Sequence, residues 1–308
     1  MTTAKGSRMT AAGLWTVLRR AFVGWWDDNV PRMGAALAYY TLFSLAPILI
    51  VAIAIAGVAF GQEAVRGEIV GQIEGLVGHQ GAQAVQGMLE GAARPSSSIP
   101  ATIIGIITFF LGATGAFLEL QNDLDAIWRV KPKQSGSFLQ ALLKQRLISF
   151  GLVLGFAFLL LTSLVVSAAL AALHTYMGNA FPGVAVLWQA LDVVVSLAVI
   201  TAVFAMIYKV LPDVKLAWRD VWVGGLVTAG LFTIGKSLIG FYIGSSAFSS
   251  TYGAAGSVIV VLVWVYYSAQ VVLLGAEFTR EYVKRFGRKP PPEEFATPDR
   301  AAASTKPA

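Results

Sequence analysis

The chain has 308 residues, of which 56% are hydrophobic and only 13% charged, a balance that excludes an ordinary soluble domain. Its formal net charge of +6 needs no nucleic-acid partner, because insertion and anionic headgroups favour basic loops on the cytoplasmic side of a membrane protein. Cysteine is absent, so disulfides and thiolate metal ligands are excluded and the redox compartment is left unread.

Residues 1–32 form a basic N-terminal segment expected in the cytoplasm. Within it AAGLWTVLRRAFVGWW (11–26) places Leu14, Leu18, Phe22 and Trp25 on one helical face, with Arg19 and Arg20 elsewhere, which predicts a helix lying in the membrane surface. The terminal pair Trp25 and Trp26 suits the headgroup region. Asp27-Asp28-Asn29-Val30-Pro31 then offers cap-type side chains and a proline at a first helical position, so a new helix is expected to enter the bilayer there. The first apolar run is too long for a signal-peptide core, and the first span is expected to be retained.

Charge-poor stretches then recur, and each supplies the ~20 apolar residues that a ~30 Å hydrocarbon core demands. Spans are predicted at about 33–61, 98–120, 147–172, 185–208, 220–243 and 254–278. Backbone amides in lipid must close their hydrogen bonds internally, so the spans are helices; barrel strands would be about half as long and would alternate. The fold class is therefore all-α: a polytopic membrane helix bundle (33–286) with six transmembrane helices and an N-terminal interfacial helix.

Residues 62–94 carry Val65, Ile69, Ile73 and Leu76 at helical spacing, then Gly78-His79-Gln80-Gly81, then Ala84, Val85, Met88 and Leu89. This pattern predicts an extracytoplasmic helical hairpin, serving as a cover, a cap or a gate. Residues 287–308, with three consecutive prolines, predict a disordered cytoplasmic tail.

Basic residues fix the orientation. Lys5, Arg8, Arg19, Arg20 and Arg32 precede the first span; Arg129, Lys131, Lys133, Lys144 and Arg146 lie between the second and third; Lys209, Lys215 and Arg219 between the fourth and fifth. Segments 173–185 and 245–252 have no Lys or Arg, so both termini are expected in the cytoplasm of a plasma (inner) membrane protein.

Ionisable groups inside a bilayer cost about 2.5–3.5 kcal/mol on insertion scales and are functional candidates by default. Asp192 in the fourth span and Lys236 in the fifth each lie ~9–10 Å from the outer end at ~1.5 Å per residue. Equal depth and opposite sign suggest a pair, either a structural salt bridge or a substrate or proton site. At the inner end of the second span Glu119, Asp123 and Asp125 cluster; Glu119 and Asp123 share a face at i,i+4 and repel unless a cation, a proton or a basic chain intervenes, while Arg129 is placed to pair with Asp125. Glu277 closes the sixth span, to pair with Arg280 or to join the same cytoplasmic mouth. Tyr39, Tyr40, Tyr266 and Tyr267 are aromatic pairs within the membrane whose hydroxyls need partners, which favours an inward orientation, although core packing is the commoner outcome. Pro47, after Ser44, should kink the first span. Gly57/Gly61, Gly151/Gly155 and Gly240/Gly244 have the spacing of packing seams, weak support for an oligomer. Two histidines far apart offer no metal-ligand spacing, and neither a catalytic nucleophile-base arrangement nor a cofactor-binding loop is present.

Four runs carry a resemblance: DDNVPRMGAALAYYTLFSLAP (27–47), GATGAFLELQNDLDAIWRV (112–130), LPDVKLAWRDVWVGGLVTAGLFTIGKSLIGFYI (211–243) and YGAAGSVIVVLVWVYYSAQVVLLGAEFTREY (252–282). Together, over roughly residues 20–285, the chain resembles the YihY/virulence factor BrkB family of bacterial inner-membrane proteins. The resemblance implies a six-helix membrane protein; members have carried the label ribonuclease BN and a link to serum resistance, and transport has been suggested for them. Metal-assisted phosphodiester cleavage wants clustered His, Asp or Glu ligands, and here the histidines fall on the outer side, so the ribonuclease label is read as a misassignment and no enzyme is expected. The leading expectation is a transporter or permease for a small solute or lipid-like molecule, with the lipid bilayer as its surroundings and no nucleic acid as partner. The competing expectation is a non-transporting envelope scaffold or assembly protein.

Overall fold

The computed structural model describes residues 11–93, 115–132, 185–245, 254–287, 291 and 296–298. These are predominantly helical. Helix α1 runs Ala11–Asp27, α2 Val30–Phe60, α3 Gln62–Ala93, α4 over 115–128, α5 Ala185–Val210, α6 Trp218–Ser245 and α7 Ala254–Phe286. Two short strands, β1 (Val130–Pro132) and β2 (Ala296–Pro298), pair antiparallel with Val130 opposite Pro298. Three helices are long and apolar enough to cross a membrane among the described residues: the stretches are Val193–Val210, Trp218–Ile239 and Val258–Phe286. They fall on the fourth, fifth and sixth predicted spans. The third predicted span, and the second up to residue 114, lie outside the described residues.

The chain divides into two compact units. In the first, α1 packs on the C-terminal part of α7: Val17 and Ala21 are buried with Phe278, Tyr282 and Val283, and Trp128, Val223, Val227 and Phe286 close around them. Close backbone approach makes this packing possible. Gly24 lies under the Glu277 carboxylate, where a Cβ would come within 2.6 Å of Oε2, and Gly224 and Gly275 accept the Thr279 and Thr228 side chains against their backbones. The Tyr208 hydroxyl is 2.9 Å from Thr228 Oγ1, and the Thr228 and Thr279 hydroxyls donate to the carbonyls of Gly224 and Gly275, so this buried polar seam between α5, α6 and α7 is satisfied.

The second unit is built on α2 and α3. Val85 and Leu89 of α3 and Val261 of α7 form a buried cluster, covered by Leu42, Leu45, Leu49, Ile50, Ile53, Ile73 and Val265. Gly61, at φ 84°, turns the chain from α2 into α3, a conformation that glycine adopts without strain.

Four features depart from expectation. First, α3 is unbroken through Gly78–Gly81. Glycine weakens a helix by about 1 kcal/mol each, but His79 bridges Glu74 at 2.8 Å and Gln83 at 2.9 Å across that stretch, and packing on α2 supplies the rest. Second, α2 begins where expected, with Pro31 in its first turn, yet Asn29 makes no side-chain cap and sits left-handed at φ 55°. The Asp28 carboxylate is instead taken by two arginines, Arg129 and Arg280. Third, the face of α1 that packs is Val17–Ala21, while Leu18 and Phe22 of the predicted apolar face are exposed together with Trp15 and Trp26. The helix is apolar on two sides, and α7 covers the one whose small side chains allow the closer approach. Fourth, part of the tail is ordered: β2 pairs with β1, and the Lys215 amide donates to the Pro291 carbonyl at 3.1 Å. Pairing costs little there because prolines occupy ladder ends, where no amide donor is missed.

Candidate functional site

The strongest concentration of buried charge lies in the first unit, around Arg280. α7 changes character near its C-terminus, where a long apolar run gives way to AEFTREYVKR (276–285). Glu277, Arg280, Glu281 and Lys284 recur at i,i+3 and i,i+4, so their side chains share one face and meet. Arg280 Nη2 lies 2.7 Å from Glu277 Oε2, and Lys284 Nζ lies 2.6 Å from Glu281 Oε1. Arg280 Nη1 also donates to Asp28 Oδ2 at 2.8 Å and to the Ile127 carbonyl at 2.6 Å. Arg129 Nη2 takes the other Asp28 oxygen at 2.8 Å.

Two left-handed residues frame this network. Asn29 follows Asp28, and Arg129, at φ 55°, ends α4 as its first non-helical residue. A left-handed position costs a non-glycine residue roughly 1–2 kcal/mol, and at Arg129 it accompanies the turn that brings the guanidinium to Asp28. Asp28 is held below the ordinary carboxylate value: burial alone would raise it, but the Arg280 hydrogen bond and charge, with help from Arg129, outweigh burial. Arg280 is 6% exposed and Glu277 fully buried. Glu277 Oε1 makes no hydrogen bond, and the Arg280 contact to Oε2 is an ion pair without hydrogen-bond alignment.

The predicted candidates distribute between the two units. Glu277 joins Arg280 directly. Asp125 is buried and accepts the Asp213 amide at 2.7 Å, so it helps to hold the α5–α6 connection. In the second unit Asp123 is buried, its Oδ2 without a hydrogen bond, and its pKa is pushed up to about 7 by burial and then by Glu119 one turn earlier. Lys236 is half-buried, next in the chain to Gly235, whose backbone is covered by the Tyr267 hydroxyl. Tyr266 is half-buried also. Asp192 lies in α5, but its side chain lies outside the described residues, and so does the expected pair with Lys236. The inward orientation expected of Tyr39 and Tyr40 is corrected: both are exposed, Tyr39 against Phe43 at 4.9 Å, because α2 turns Leu37, Ala38 and Ser44 to its buried side.

Sequence reasoning missed Asp28 and treated Arg280 only as a partner for Glu277. Asp28 read as a helix cap, and its two arginine partners lie 101 and 252 positions away. Among the described residues, no group of three or more His, Asp or Glu is arranged to hold a metal ion.

A chain of long apolar helices that buries ionised groups at the polar end of one of them is an integral membrane protein. It belongs to the virulence factor BrkB family, whose model matches residues 21–299. It is similar to UPF0761 membrane proteins from Ralstonia nicotianae, 31% identical over 81% of this chain and 55% of that one, and from Verminephrobacter eiseniae, 30% identical over 82% and 58%. A UPF0761 membrane protein from Psychrobacter is 29% identical over 82% of this chain and 45% of its own. The chain thus spans about half the length of the curated relatives it matches. No solved structure matches it.

Proposed function

We propose that the protein is a permease-like transporter of the bacterial inner membrane, moving a small solute or a lipid-like molecule, with six spans and both termini in the cytoplasm. The observation that carries this reading is Glu277, a fully buried carboxylate at the end of a membrane-length apolar helix, whose oxygens face Arg280 without an aligned hydrogen bond. An ionisable group kept at that cost in a spanning helix is ordinarily kept for a task. Lys236 in α6, whose chain neighbour Gly235 lies against the Tyr267 hydroxyl, adds a second polar position in a candidate span.

A second reading, an envelope scaffold, draws on the pairing of Arg280, which has two carboxylates and a carbonyl within 2.8 Å. Flux separates the two. Purified protein in proteoliposomes is expected to take up at least one class among anions, cations, sugars and short-chain lipids, with uptake lowered ~10-fold or more in Lys236→Met, the loss of about 1.4 kcal/mol of transition-state stabilisation. Absence of flux for every class favours the scaffold. The proposal assigns no ribonuclease activity; RNA cleavage by the purified protein that disappears when Asp123 and Asp125 become Ala overturns that part.

A further inference from the structure

Between α1 and the C-terminal turns of α7 lies a cleft of about 260 Å3 lined by Val17, Arg20, Glu281, Lys284 and Arg285. Three cationic side chains face one carboxylate there, and that carboxylate already has Lys284 at 2.6 Å and Arg280 Nε at 3.6 Å. The cleft therefore presents an excess of positive charge beside an apolar floor. Lys284 is half-exposed, and Arg20 and Arg285 are exposed, so the cations are open to a ligand from outside the fold.

A second, independent feature borders it. The face of α1 turned away from α7 carries Trp15 and Trp26, each 70% exposed, and Phe22, 61% exposed. Large rings in that number on one exposed face of an otherwise packed helix suit the bilayer interface, where a ring can sit among the headgroups. A helix with aromatic groups in the interface holds the cations on its flank at headgroup level, where phosphodiesters are abundant and each basic residue contributes attraction.

We infer that the α1–α7 cleft is a binding site for the phosphate of an anionic phospholipid headgroup, with Arg20, Lys284 and Arg285 as its ligands and the α1 aromatic face as its anchor in the same leaflet. The site is independent of transport: it would exist in a scaffold as well, and loss of lipid binding with flux intact separates the two proposals.

The test uses the full-length protein in a neutral detergent, with dioleoyl phosphatidylglycerol as probe and native mass spectrometry as readout. The wild type is expected to retain phosphatidylglycerol in preference to phosphatidylcholine. The double variant Arg20→Gln, Arg285→Gln is expected to lose affinity about 25-fold, at about fivefold per cation removed. Arg19→Gln, which changes a neighbouring exposed cation outside the cleft, should leave binding within about twofold. Equal binding by wild type and double variant, or an equal loss in Arg19→Gln, overturns the site. Displacement of the lipid by millimolar inorganic phosphate overturns its assignment to a headgroup in favour of a free anion. Should the double variant fail to fold, Glu281→Gln decides: removing the competing carboxylate is expected to tighten phosphatidylglycerol binding, and unchanged or weaker binding refutes the proposal.

Discussion

Asp123 shows how far a residue's chemistry departs from its spacing. The i,i+4 relation to Glu119 is visible in the sequence and says that two carboxylates compete. It does not say which one gives way. Burial of Asp123 singles it out, because the desolvated carboxylate cannot recover its lost hydration and its pKa is pushed up to about 7. Between its ordinary value of 3.8 and about 7 the folded chain holds a proton that the unfolded chain releases. Stability is therefore fully present below that window and falls as pH rises through it. Asp123→Asn should lessen this dependence: melting followed in detergent from pH 4.5 to 8 is expected to decline more steeply for the wild type than for the variant. Parallel profiles would show that Asp123 is ionised throughout.

At the scale of elements, the Asp28 carboxylate joins the end of α1 to the end of α4 and to α7 through Arg129 and Arg280. Removing one partner from a buried ion network leaves charge uncompensated and typically costs about 3–5 kcal/mol. Arg280 keeps Glu277 and the Ile127 carbonyl, so Asp28→Ala is expected near the lower end of that range, read as a lower midpoint in chemical denaturation. A shift comparable to that of an exposed control such as Arg19→Ala would mean that the network contributes no stability. The elements themselves were largely legible. Three helices long and apolar enough to cross a membrane overlap the fourth, fifth and sixth predicted spans, because a continuous apolar run admits one solution in lipid. The packed face of α1 was not legible, since a helix apolar on two sides carries no periodicity that says which side another helix will take. Nor was the continuity of α3, because glycine's local cost is outweighed by side-chain bridges and packing that the sequence pattern does not display.

For the whole molecule, the alternation of basic loops makes a sharp topological expectation, and the absence of cysteine makes it simple to check. Single cysteines placed at Gln86 in α3 and at Lys131 in β1, both exposed positions, are unique labels. In intact spheroplasts a membrane-impermeant maleimide should modify Gln86→Cys at once and Lys131→Cys only after permeabilisation. Reversed or equal labelling would overturn the orientation and, with it, the leaflet in which the α1–α7 cleft meets its lipid. The sequence alone was enough to establish a helical membrane protein, because the cost of charge and of unpaired amides in hydrocarbon acts on every residue of a span and leaves its mark along the whole chain; the BrkB family rests instead on the motif runs and on the family model that matches residues 21–299. Tertiary structure alone decided which groups meet: Asp28 with Arg129 and Arg280, and Asp125 with the Asp213 amide. Those pairings depend on burial and on contacts between distant positions, and neither composition nor periodicity encodes them.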